Sequence, residues 1–74
     1  MNETIETTGV IESVLGNNNY RVAAEIPGIG TRSVMCHLAG KMRRFSINVI
    51  VGDKVKLVIP SPYDKGRITF RENG

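Results

Sequence analysis

The chain is poor in the residues on which most enzymes and disulfide-stapled domains rely. It has one cysteine, Cys36, one histidine, His37, and no tryptophan. A single cysteine excludes an intrachain disulfide and suits a reducing compartment. One cysteine and one histidine cannot build a Cys/His metal site, so no metal is expected. "PGIG" (27–30) is followed by neither a helix start nor Lys-Ser/Thr, so it is no phosphate loop, and no cofactor is expected. No apolar run approaches the length of a membrane span. The opening "MNETIETTGV" is acidic and polar and lacks the basic start and apolar middle of a signal peptide. A cytosolic or organelle-matrix protein is expected.

Catalytic groups are scarce too. Cys36 and His37 are neighbours, and along a strand neighbours point to opposite faces, which removes the one nucleophile–base pair. Cys36 reads as a small core residue. The carboxylates are scattered and suggest no acid–base pair. An enzyme is not expected.

With 74 residues the chain is long enough for one small domain, taken as 1–74 with loose ends at 1–4 and 72–74. Its dominant period is two. Tyr20, Val22, Ala24 and Ile26 alternate with Arg21, Ala23 and Glu25 up to the Pro27-Gly28 turn. Val34, Cys36 and Leu38 share one face of a third segment, with Met35 and His37 on the other. Val55, Leu57 and Ile59 point inward from the next, with Lys54 and Lys56 outward. The last segment puts Ile68 and Phe70 inward and Arg67, Thr69 and Arg71 outward. The first strand is less regular: Ile5, Ile11 and Leu15 share one parity, Val10 and Val14 the other, so both sides are expected to be covered over part of its length. Gly9 inside it predicts a bulge or a sharp bend. "GNNN" (16–19), "VGDK" (51–54) and "PSPYDKG" (60–66) are turn chemistry. Met42, Phe45 and Val49 fall at helical spacing, which predicts a short helix near 39–45. Five strands with a helix between the third and fourth is the order of an all-β OB-fold barrel. An SH3-like barrel is the competing architecture.

Charge divides along the chain. Residues 1–30 carry four glutamates and one arginine, whereas residues 31–74 carry nine Lys or Arg against three acidic residues. A basic second half suits a polyanion, nucleic acid first, although a solvated surface has the same composition. If the last two strands pair, Lys54, Lys56, Arg67 and Arg71 form one patch. Lys41, Arg43 and Arg44 form a second group on the helical link. Such cations neutralise phosphates and release counterions. Only Tyr20, Phe45, Tyr63 and Phe70 are aromatic. With Tyr20 and Phe70 read as core, about two remain for stacking. Binding to structured RNA therefore fits better than base-by-base reading of a free strand.

Four stretches, "HLAGKMR" (37–43), "GDKVKL" (52–57), "SPYD" (61–64) and "KGRITFR" (65–71), stand in an order and at a length that resemble the bacterial-type translation initiation factor one family. The likeness covers nearly the whole chain. It implies an OB barrel that binds the small ribosomal subunit at the decoding A site, between ribosomal RNA and a ribosomal protein. Such a factor blocks premature tRNA entry and supports the other initiation factors. By position, the family's RNA contacts fall on Gly40, Lys41, Met42 and Arg43, on Arg67 and Arg71, on Tyr63 within "PYD", on Lys65 in the last motif, and on His37. Arg44, Lys54 and Lys56 join them from the charge pattern.

The chain departs from the family pattern at Ala39, where Ser is usual, and at Phe45, an aromatic one place early. Asn48 replaces a common basic residue, the 27–30 link is longer, and the loop after Asp64 is shorter. The source can be an ordinary bacterial cytoplasm, a plastid stroma or a virus-infected cell. In the leading reading a monomer acts by occupancy: Met42 meets a base or sugar while its neighbours hold phosphates. For Met42 the competing role is core packing. For Tyr63 it is loop packing, and for Lys54 and Lys56 a solvated strand face. A general OB-fold RNA chaperone or single-strand binder, and a basic protein–protein adaptor, are the alternative functions.

Overall fold

Alternation in three of the five segments turns directly into inside and outside. Tyr20, Val22, Ala24 and Ile26 are buried on β2 (Asn19–Ile26), and Val34, Cys36 and Leu38 on β3 (Gly30–Leu38). Val55, Leu57 and Ile59 are buried on β4 (Lys54–Pro60). The computed structural model describes residues 3–44 and 48–72. Its remaining elements are β1 (Thr4–Gly16), the short helix α1 (Gly40–Arg44) and β5 (Lys65–Glu72). The strands close into a barrel in the order β1-β2-β3-β5-β4. All pairings are antiparallel except β3 with β5, which is parallel. This is the five-stranded OB-fold, with the helix between β3 and β4.

β1 is long because it serves two neighbours. Thr4–Val10 pair with β4 and Gly9–Gly16 with β2, so residues 9 and 10 belong to both ladders. Gly9 is where these walls meet. A Cβ there would lie 2.6 Å from Val22 Cγ1 and 2.8 Å from the Ala23 carbonyl oxygen. The glycine thus permits close approach of β2. No bulge occurs at Gly9; the register shifts lie after Ile11 and Val14. The expectation that both sides of β1 are covered over part of its length is corrected by exposure: Val10, Val14 and Leu15 are all exposed. Asn17 and Asn18, with φ of 51° and 61°, close the β1–β2 hairpin in the left-handed region that Asn tolerates. Of the expected loose ends, Thr4 pairs with Pro60 and Glu72 with Lys54. Residues 1, 2, 73 and 74 lie outside the described residues.

Phe70 is the main correction in the strands. It is 54% exposed rather than buried. The β4–β5 register runs Lys56↔Phe70 and then Leu57↔Ile68, leaving Thr69 as an extra residue on β5. This bulge reverses parity beyond it. Phe70 turns outward, and Arg71, expected outward, comes opposite the buried Val55.

The helix also departs from expectation in orientation. Met42 is 1% exposed and sits with Val49 in the barrel core. The competing role, core packing, is the one observed: the thioether fills the end of the barrel, and Met42 does not project among the cations. Phe45, expected near the helix end, lies outside the described residues.

Candidate nucleic-acid interface

Register places the cations. Outward residues of β2, β3 and β5 line up in two cross-strand rows, Arg21–Met35–Lys65 and Asn19–His37–Arg67. At the usual strand spacing each row spans about 10 Å between its outer Cα atoms. Arg21, Met35, His37, Lys65 and Arg67 are all exposed. Among the described residues, none of Arg21, His37, Lys65 and Arg67 lies within ion-pair distance of a carboxylate. Glu12, on the β1 side, accepts a 2.6 Å hydrogen bond from Ser33 Oγ. A shallow groove of about 280 Å³ runs beside the second row. His37, Lys65, Gly66 and Arg67 line one side, and Val58, Pro60 and Thr4 the other. Gly66 keeps the wall thin, because a Cβ there would meet Ile59 Cγ1 and the Val58 carbonyl oxygen at 3.1 Å.

α1 extends this surface. Ala39, one residue past the end of β3, donates its N–H to the Ile68 carbonyl at 2.8 Å, beside Arg67. The Ala39 carbonyl then accepts from Met42 N at 3.0 Å and Arg43 N at 3.2 Å, starting the helix. Gly40, Lys41, Arg43 and Arg44 are exposed, while Met42 anchors the turn from below. The buried methionine thus fixes the direction of a cation-bearing turn. Ala39 stands at the N-cap with no side-chain oxygen to offer.

The patch expected from β4 and β5 does not form as one unit. Lys56 faces Phe70, with Nζ 5.8 Å from the ring centroid, and lies 4.0 Å from Glu72 Oε2. Lys54 faces Glu72 across the ladder. Arg71 Nε lies 3.0 Å from Asp53 Oδ2. That Nε makes no hydrogen bond among the described residues, so the contact is ionic and not a directed N–H···O. Asp53 is itself fixed by the 50–53 turn, where its carboxylate accepts from Ile50 N at 2.9 Å. Of the four expected cations Lys56 and Arg71 lie within 4.0 Å of a carboxylate, Lys54 and Arg67 do not among the described residues, and Arg67 joins β3. Tyr63 is half-buried, packs on the core, and donates its N–H to the Pro60 carbonyl at 2.8 Å.

Two residues of these rows, Arg21 and Met35, were not among the site residues expected from the sequence. Their parity was legible, but the parallel β3–β5 pairing that sets them beside Lys65 is not a property of periodicity. Met35, 41% exposed, is the apolar side chain that does stand among cations. Beneath it, Cys36 is buried, and burial pushes its thiol up to about 12. The group stays protonated and is a poor nucleophile at neutral pH. Among the described residues there is no cluster of three metal-ligating side chains and no helix long and apolar enough to cross a membrane.

No protein-family model matches the chain. Two of the solved structures that share its fold match it over nearly its whole length. One is the solution structure of translation initiation factor one from the Wolbachia endosymbiont strain TRS of Brugia malayi. It is 30% identical, with a TM-score of 0.68, over 96% of this chain and 80% of that one. The other is the crystal structure of YjeQ from Thermotoga maritima, 25% identical with a TM-score of 0.70. That match covers 93% of this chain but only 23% of YjeQ, so the chain spans about a quarter of that protein's length.

Proposed function

The chain belongs to the translation initiation factor one family, and on that premise we propose that it binds the small ribosomal subunit at the decoding A site. In this reading residues 1–74 act as one OB domain. They contact ribosomal RNA, block premature tRNA entry and assist the other initiation factors, by occupancy without chemistry. The observation that carries the reading is the pair of cation-bearing cross-strand rows on β2, β3 and β5. Arg21, His37, Lys65 and Arg67 stand there in two rows, with no described carboxylate within ion-pair distance, and Lys41, Arg43 and Arg44 stand on the adjoining turn. A rigid barrel holds these groups at fixed spacing, and each phosphate they neutralise releases counterions. Guanidinium groups add two-pronged bonds to phosphate.

Chemical footprinting of small-subunit ribosomal RNA tests the site. Protection in the decoding region is expected, and protection elsewhere overturns the assignment. Competition tests the class. Small subunits are expected to outcompete total RNA and single-stranded DNA by a wide margin. Equal affinity for all three would identify a general OB-fold RNA binder.

A further inference from the structure

Core packing accounts for Met42 and leaves Met35 without a role in the fold. Met35 is 41% exposed on the outer face of β3, while Cys36 takes the inward place next to it. The ladders hold it there. It stands opposite Arg21 on β2 and Lys65 on β5, and its N–H donates to the Asp64 carbonyl at 3.3 Å. At the usual strand separation each cation is about 5 Å away, Cα to Cα. The thioether therefore faces solvent between an arginine and a lysine, in the middle of a row read above as an RNA contact.

It is also the thioether among the described residues that an oxidant can reach. Met42 is 1% exposed in the core. Cys36 is equally buried, and burial keeps its thiol protonated, so it does not compete. Oxidation turns methionine from a flexible apolar side chain into a polar one with an acceptor oxygen. At position 35 that oxygen has two donors beside it, Arg21 and Lys65. A donor it engages is turned away from an incoming phosphate, and the new oxygen repels phosphate oxygens. The apolar contact with a base or sugar is lost in the same step.

We propose that Met35 is a modification site whose reversible oxidation to the sulfoxide weakens the hold of the chain on RNA. The oxidant is a peroxide. One peroxide oxygen passes to the Met35 sulfur: the O–O bond breaks, an S–O bond forms, and the two electrons given up by sulfur reduce the other oxygen to water. The reverse step takes a dithiol reductant and a methionine sulfoxide reductase. The sulfoxide oxygen leaves as water and the two thiols become a disulfide. Bound RNA covers the sulfur, so the free protein is the form that is oxidised. This rests on the small-subunit reading above and adds to it a regulation that the cations alone do not supply.

The test uses the full chain and purified small subunits. The protein is treated with hydrogen peroxide until peptide mass spectrometry finds Met35 converted and Met42 intact. Binding is expected to weaken about tenfold, and methionine sulfoxide reductase with dithiothreitol is expected to restore it. Met35→Leu keeps an apolar side chain and has no sulfur to oxidise, so it should bind like the unsubstituted protein and ignore peroxide. Small subunits, added before the peroxide, should slow oxidation of Met35. Unchanged affinity after conversion, or an equal peroxide effect in Met35→Leu, overturns the proposal. So does a loss of affinity accompanied by loss of the folded circular dichroism signal, or oxidation of Met35 at the same rate in the bound protein. The unoxidised protein is measured alongside. If it does not bind subunits, the small-subunit reading fails and takes this proposal with it. If it binds and ignores oxidation, this proposal fails alone.

Discussion

The two halves of β5 show how one strand can serve two surfaces. Before Thr69, Lys65 and Arg67 point out beside Met35 and His37, and every charge is positive or neutral. After Thr69, Phe70 points out beside Lys56, acids match bases, and Arg71 turns back to Asp53. A single inserted residue separates a stretch whose cations are unpaired among the described residues from one whose cations meet carboxylates. Four cations on paired strands therefore do not make a patch by their number. Register decides which of them remain free, and a cation 3.0 Å from a carboxylate has its charge partly compensated before any phosphate arrives.

The sharpest way to break this contrast is to reverse the charge of the first half. Lys65→Glu with Arg67→Glu is expected to lower small-subunit affinity at least a hundredfold at low salt, with the barrel intact by circular dichroism. Arg67→Ala alone should reduce the salt slope of binding by about one. Unchanged affinity in the double variant would remove β5 from the interface.

The second half gives the opposite pattern. Arg71→Ala leaves the Asp53 carboxylate half-buried beside the 50–53 turn without its cation, and about 1–2 kcal/mol of stability is expected to go. Arg67→Ala should cost much less stability, because its side chain is exposed and pairs with no described carboxylate. Urea titration of the two variants compares them directly. If Arg71→Ala weakens RNA binding more than it weakens the fold, the inward assignment of Arg71 fails.

β3 allows the same contrast between consecutive residues. Met35 is exposed and Cys36 is 1% exposed. Mild peroxide should oxidise Met35 well before Met42, while a thiol reagent at neutral pH should leave Cys36 unmodified until the protein unfolds. Burial holds the folded thiol near 12 against an ordinary 9.0, so the unfolded chain loses its proton first. Stability contributed by Cys36 is complete below pH 9 and falls as pH rises toward 12, by roughly 1 kcal/mol at pH 10. Cys36→Ala should lack that part of the alkaline decline.

Much of this architecture is legible in the residues. Alternation alone assigns the inward faces of β2, β3 and β4, and turn chemistry marks both hairpin ends. It fails at Thr69 because Ile68, Thr69 and Phe70 continue a period of two without a break, and a bulge is set by what lies opposite. It fails at Met42 for a different reason. Helical spacing marks the turn, but that the turn lies across the barrel's open end, with its apolar residue inward, depends on Ala39 bonding to Ile68 nearly thirty residues away. For the site, parity placed Met35 and His37 outward, yet only the β3–β5 ladder joins them to Lys65 and Arg67.

The smallest expected effect concerns the hinge between β3 and the cationic turn. Ala39 is the N-cap of α1: its carbonyl accepts from Met42 and Arg43, and its side chain offers nothing to the free N–H groups of the first turn. A serine hydroxyl at this position can accept one of those bonds, which contributes about 0.5–1 kcal/mol in comparable helices. Ala39 is 9% exposed and sits at the helix start, so the added oxygen need only reach its own turn. Ala39→Ser is therefore expected to raise the urea midpoint slightly and slow amide exchange at Met42 and Arg43. It should also tighten small-subunit binding by no more than a few-fold, because Lys41, Arg43 and Arg44 are held more often in one arrangement. A gain in helix protection with no gain in binding would place the three α1 cations outside the RNA contact, and leave the β3–β5 rows to carry it.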